Sequence, residues 1–182
     1  MSTHNLLAYR FILANLMAGS LMAGLWAHGV IWPLFEQDST YISHGIVALF
    51  IVAWFATARQ VVRMSRLINL FKKHPTGCGH RDKIKALAKI AWLRDVSSWL
   101  VALGLMGTII GLAVAISSIN QSSLGSAGGA QTAVGQLMSG MRIAVNTTIC
   151  GAVAALWNEV NVRMLWTAAE VYWTDRTGEL IK

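Results

Sequence analysis

The sequence predicts an all-α integral membrane fold: a helical bundle with four transmembrane helices, both ends in the cytoplasm, and helices that extend past the membrane. Three observations predict it. Hydrophobic residues make up 55% of the 182 residues and charged residues only 13%, about half the charge that a soluble domain carries on its surface. Long stretches of the chain hold no charged residue. The basic residues are gathered between two of those stretches: ten of the fifteen lie from Arg59 to Arg94. The length suits one domain, so residues 1–182 are read as a single membrane domain.

The first span is residues 11–32. Phe11 to Trp32 contains no Asp, Glu, Lys or Arg, and at 1.5 Å per residue it reaches roughly 33 Å, enough to cross the hydrocarbon core. It is too long for the apolar core of a signal peptide, and no A-x-A site follows it. Gly19, Ala23 and Ala27 recur every four residues and form a small-residue stripe suited to helix contact. Pro33 to Tyr41 holds Glu36 and Asp38 without a basic residue and reads as an outer loop.

The second span is residues 42–58. Arg59 opens a basic cytoplasmic loop, residues 59–95. Within it Val61, Val62, Met64, Leu67, Ile68 and Phe71 keep helical spacing, so the helix is expected to run on beyond the membrane. The segment from His74 to His80, with Pro75, Gly77 and Gly79, breaks it. Arg81 to Arg94 is expected to form a second basic amphipathic helix. The third span is residues 99–116. Ser117 to Ala133 is uncharged and rich in Ser, Gly and Gln, and reads as an outer turn region. The fourth span is residues 143–157, with a cytoplasmic helix over 158–182. The two outer loops lack Lys and Arg and the middle loop is basic, so the positive-inside rule places both termini inside. Arg142 is the exception. It lies at the outer mouth of the fourth span, where it can snorkel to the headgroups.

Enzyme chemistry finds no foothold. The sequence has no G-x-S-x-G, P-loop or H-E-x-x-H. His74, Cys78 and His80 lack a second ligand cluster and read as a helix break, so no metal or cofactor is expected. Cys78 and Cys150 fall at different levels, so no disulfide between them is expected. The basic residues lie between apolar runs, which argues against nucleic acid as a partner.

The third and fourth spans carry the informative pattern. On one helical face of the third lie Ser97, Val101, Gly104, Thr108, Gly111, Ala115 and Ser118; Leu100, Leu103, Ile110 and Val114 are assigned to the other side. Gly107 and Gly111 form a G-x-x-x-G pair. The fourth presents Ala144, Thr148, Gly151, Ala152, Ala155 and Glu159, with Asn146 and Thr147 beside them. Polar groups inside a membrane are costly, and they point into a bundle or a wet path. A Thr can instead bond its own backbone, so both readings stay open at this point.

The segment Gly104-Leu105-Met106-Gly107-Thr108-Ile109-Ile110-Gly111 resembles the G-L-x-G-T-x-x-G segment of the MotA/TolQ/ExbB proton channel family. Arg142 to Trp157 resembles that family's next helix, with Thr148 and Gly151 matching its Thr and Gly. The resemblance covers roughly residues 95 to 165, and the four-span topology is similar to the MotA branch. Val101 stands where the family often has Pro, Leu156 or a neighbour where it often has a second Pro, and the middle loop is shorter than in flagellar stators.

The resemblance implies a stator-like subunit of the bacterial inner membrane that converts proton flow into mechanical work. It implies a homopentamer around two copies of a single-span MotB/ExbD/TolR-like partner that brings an Asp. Thr108, Thr148, Thr147, Asn146, Gly104, Gly111 and Gly151 would line the channel, and Glu159 would supply a charge near the inner exit. A small four-span transporter and a non-conducting structural membrane subunit are the alternatives. The first span has no acidic residue for a small multidrug exporter, and the outer loops have no Cys for a tetraspanin-like protein.

Overall fold

A computed structural model of the protein describes residues 4–29, 31–33, 41–73, 80–117 and 127–177. Four long helices account for most of them: α1 (His4–Ala27), α2 (Ile42–Lys73), α3 (His80–Ser117) and α4 (Ala127–Thr177). There is no strand among the described residues. Each helix contains a segment long and apolar enough to cross a membrane: Leu7–Ala27, Ile42–Arg66, Ile90–Ser117 and Gly128–Val171. The outward surface is apolar to match. Leu16, Met17 and Leu21 on α1, Leu105, Met106 and Ile109 on α3, and Leu156 on α4 are all more than half exposed. Water tolerates apolar patches of only a few hundred Å² on a soluble monomer, so lipid or other membrane helices cover these faces. The protein is a multi-pass membrane protein.

Helix boundaries differ from the sequence reading in three places. α1 ends at Ala27 rather than continuing to Trp32. Gly29 adopts φ 72° and donates its N–H to the Trp26 carbonyl at 2.9 Å, a glycine stop that costs no Cβ strain. α2 opens with the Tyr41 carbonyl accepting the Gly45 N–H at 3.1 Å and, as its spacing predicts, runs unbroken through the basic residues to Lys73. α3 likewise joins the basic segment and the third span in one helix, so the flanks of the basic loop are helical. α4 begins at Ala127, inside the segment expected to be a turn. Ala130, Ala133, Leu137 and Met138 favour helix there, and Gly140 packs on Ala115 of α3. Residues 74–79 of the expected helix break lie outside the described residues.

The chain divides into two compact units. The first comprises residues 1–24, 51–97 and 156–182. Its core joins Phe11 of α1, Val61 and Met64 of α2, Ile90 and Leu93 of α3, and Val162, Leu165 and Ala169 of α4. On α2, α3 and α4 these apolar residues recur every three or four positions, and that spacing gives each of the three helices one stripe to bury. The second unit comprises residues 25–50 and 98–155. Ser43 and Ile46 of α2 are buried in it, together with the small-residue faces of α3 and α4.

Candidate functional site

In the second unit α3 and α4 meet main chain to main chain. A Cβ placed on Gly151 would lie 2.8 Å from both the Gly104 Cα and the Leu100 carbonyl oxygen. One placed on Gly111 would lie 2.7 Å from the Ala144 nitrogen and 2.9 Å from the Gly140 oxygen. Backbone atoms cannot rotate aside, so only a residue without a side chain allows this approach. Between these two points the Thr147 side chain fills the notch left by Gly107.

The hydroxyls of the seam have defined partners. Thr147 is fully buried, and its Oγ1 donates toward the Ile143 and Ala144 carbonyls at 3.0 Å each. Thr148 is half-buried. Its Oγ1 lies 3.0 Å from the Ala144 carbonyl oxygen and 3.4 Å from that of Gly104 across the seam. Thr108, also half-buried, donates to the Leu105 carbonyl on its own helix. A threonine whose proton is held by its own backbone still offers Oγ lone pairs to an incoming donor. The seam can therefore accept hydrogen bonds from water or from a protonated acid. It carries no acid itself: no Asp or Glu occurs between Asp95 and Glu159.

The expected site residues thus fall into three groups. Gly104, Gly111, Gly151, Thr147 and Thr148 come together at the seam. Thr108 and Asn146 belong to the same unit, Asn146 buried on α4. Glu159 is half-buried in the first unit and makes no ion pair with Arg163 among the described residues. The predicted faces are right in kind but shifted at their edges. Leu100, assigned to the opposite side from the small-residue face, is fully buried, whereas Val101, assigned to that face, is 45% exposed; Ala152 is exposed too. The buried row of α3 here is Ser97, Leu100, Gly104, Gly107, Gly111 and Ala115, in steps of three or four residues that keep to one face of the helix.

A polar cluster in the first unit went unremarked in the sequence reading. The Asn15 Oδ1 accepts from Trp54 Nε1 at 2.7 Å, Trp157 Nε1 at 2.9 Å and Asn161 Nδ2 at 3.3 Å. Its Nδ2 donates to the Phe11 carbonyl at 2.8 Å and to Asn161 Oδ1 at 2.9 Å. One amide thereby ties α1 to α2 and α4. Below it Asn158, 1% exposed, donates to the Leu93 carbonyl at 3.1 Å and to Ser97 Oγ at 2.9 Å. The available signal was a lone Asn in an uncharged span, where a polar side chain calls for a partner.

Residues 80–171 match the model of the MotA/TolQ/ExbB proton channel family. The matched region is half of the chain and contains the whole seam. The chain belongs to this family. Neither a curated protein nor a solved structure is significantly similar to it. Membership of the MotA/TolQ/ExbB family gives the chain a proton-channel-related role, and α1 and α2 lie outside the matched region.

Proposed function

We propose that this chain is the channel-forming subunit of a proton-driven motor in the bacterial inner membrane, with both termini in the cytoplasm and no enzymatic step of its own. The observation that carries this reading is the acid-free seam, with threonine hydroxyls held on its two helices inside the region that matches the family. A proton crossing here needs a titratable group at mid-membrane, and this chain has none to offer there. A single-span MotB/ExbD/TolR-like partner supplies the carboxyl group, two copies of it standing inside a pentamer of this chain. Thr108 and Thr148 accept hydrogen bonds from water or from the protonated acid, and Thr147, Asn146, Gly104, Gly111 and Gly151 hold the wall. Glu159 marks the inner exit. The transported ion is H+, and no bound cofactor takes part. Passage of the ion turns the pentamer about the partner and does mechanical work.

Native mass spectrometry of the complex, purified from its own membrane in mild detergent, tests the assembly. Five copies of this chain with two of a small partner bearing a membrane Asp support the motor. A monomer or dimer without a partner refutes it and favours a small transporter or a structural subunit. Proton flux into liposomes carrying the complex tests the site: Thr108→Val and Thr148→Val are expected to assemble normally and to lose flux. Full flux in both variants removes the role assigned to these hydroxyls.

A further inference from the structure

Where α2 leaves its apolar segment, a groove of about 860 Å³ opens, lined by residues that include Phe55, Arg59, Val62, Arg63 and Arg66. The spacing places them together: Arg59, Arg63 and Arg66 are four and three residues apart, on one helical face. Phe55 stands one turn before Arg59, and Val62 lies between the guanidiniums. The three arginines are exposed and have no ion pair among the described residues. Among the described residues no carboxylate lines the groove. Phe55 and Val62, 55% and 49% exposed, give the same groove an apolar wall. That wall is held in position. The Phe55 ring meets the Trp54 ring edge-on at 5.2 Å, and Trp54 is fixed by its hydrogen bond to Asn15.

We propose that this groove binds one anionic phospholipid, its phosphate on Arg59, Arg63 and Arg66 and an acyl chain along Phe55 and Val62. Three exposed guanidiniums above an apolar wall fit an amphiphile that is anionic at one end. Guanidinium forks match phosphate oxygens two at a time. The site stands at the end of an apolar segment, where a bilayer presents its headgroups. A second copy of this chain fits less well, because the chain carries fifteen basic residues against eight acidic ones and would bring further cations to the groove. This inference is independent of the motor reading, since it concerns a part of α2 outside the family match.

Native mass spectrometry of the purified protein, titrated with phosphatidylglycerol or phosphatidylcholine, tests it. Each basic residue near an anionic lipid contributes enough for roughly fivefold, so the wild type is expected to prefer phosphatidylglycerol by about tenfold or more. In R59Q/R63Q/R66Q the preference is expected to fall below about twofold, and the single variant R63Q to lose about fivefold. Phe55→Ala is expected to weaken both lipids while keeping the preference. The single variants decide the matter if the triple variant does not fold. Equal binding of both lipids by the wild type overturns the proposal, as does a preference that survives in every arginine variant. Binding of inorganic phosphate as tight as that of the lipid also overturns it. So does a disulfide between copies carrying Arg63→Cys, with loss of the bound lipid, because the groove would then be an interface between subunits.

Discussion

Replacing Gly151 with Ala adds a single carbon at the tightest point of the α3–α4 seam. That carbon would sit 2.8 Å from the Gly104 Cα, whereas non-bonded carbons rest about 3.5–4.0 Å apart, so the helices must part by roughly 1 Å. Overpacking of this kind costs about 1–3 kcal/mol. The Thr148–Gly104 contact, already 3.4 Å long, is then lost, at about 0.6 kcal/mol for a bond between membrane helices. Against this, Ala is the better helix former by about 1 kcal/mol. The net expectation is a destabilisation of about 0.6–2.6 kcal/mol, or a melting temperature lower by about 1–10 °C. Gly24→Ala supplies the control, because a Cβ there meets nothing within 4 Å; it keeps the propensity gain of about 1 kcal/mol and loses nothing. Both variants and the wild type are melted in mild detergent, with helicity followed by circular dichroism. If G151A melts at or above the wild type, the close approach does not exist in solution and the seam as described is wrong.

Leu100→Ala is expected to cost about 2–5 kcal/mol, as a fully buried leucine leaves a cavity, while Val101→Ala stays within about 0.5 kcal/mol; thermal melting of the pair reads the register of α3. Asn15→Leu leaves two indole N–H groups and the Asn161 amide without their acceptor and is expected to destabilise by about 2 kcal/mol or more. A difference spectrum of the tryptophan emission checks that indole groups change their surroundings. Thr147→Val keeps the shape that fills the Gly107 notch and is expected to assemble and melt within about 1 kcal/mol of the wild type. Thr147→Leu overfills the notch and is expected to lose about 1–3 kcal/mol in the same melt.

The parts of the molecule legible in the sequence are those set by apolar length and by small-residue spacing. Uncharged runs announced four membrane helices, and Gly104, Gly111 and Gly151 announced a close contact between two of them. Periodicity alone could not tell Leu100 from Val101, because adjacent positions differ by only about 100° and both residues are apolar. It could not tell Thr147 from Thr148 for the same reason: each is a hydroxyl beside a glycine notch, and only the partner helix selects which enters. The start of α4 at Ala127 was hidden by glycines. Their low helix propensity outweighed, on paper, the packing of Gly140 against Ala115. The Asn15 cluster was hidden for another reason. Asn15 is separated from Trp54, Trp157 and Asn161 by 39 and more residues along the chain, and no local pattern pairs it with them.

A contact made of main chain leaves two helices without slack. Side chains that interlock can change rotamer and let their helices slide; the backbone atoms of Gly104 and Gly151 have no such freedom, and neither helix can roll without collision. Within the second unit the two helices therefore behave as one stiff strut. A push delivered to one of them is handed to the other undiminished, which is what a lever demands of its arm.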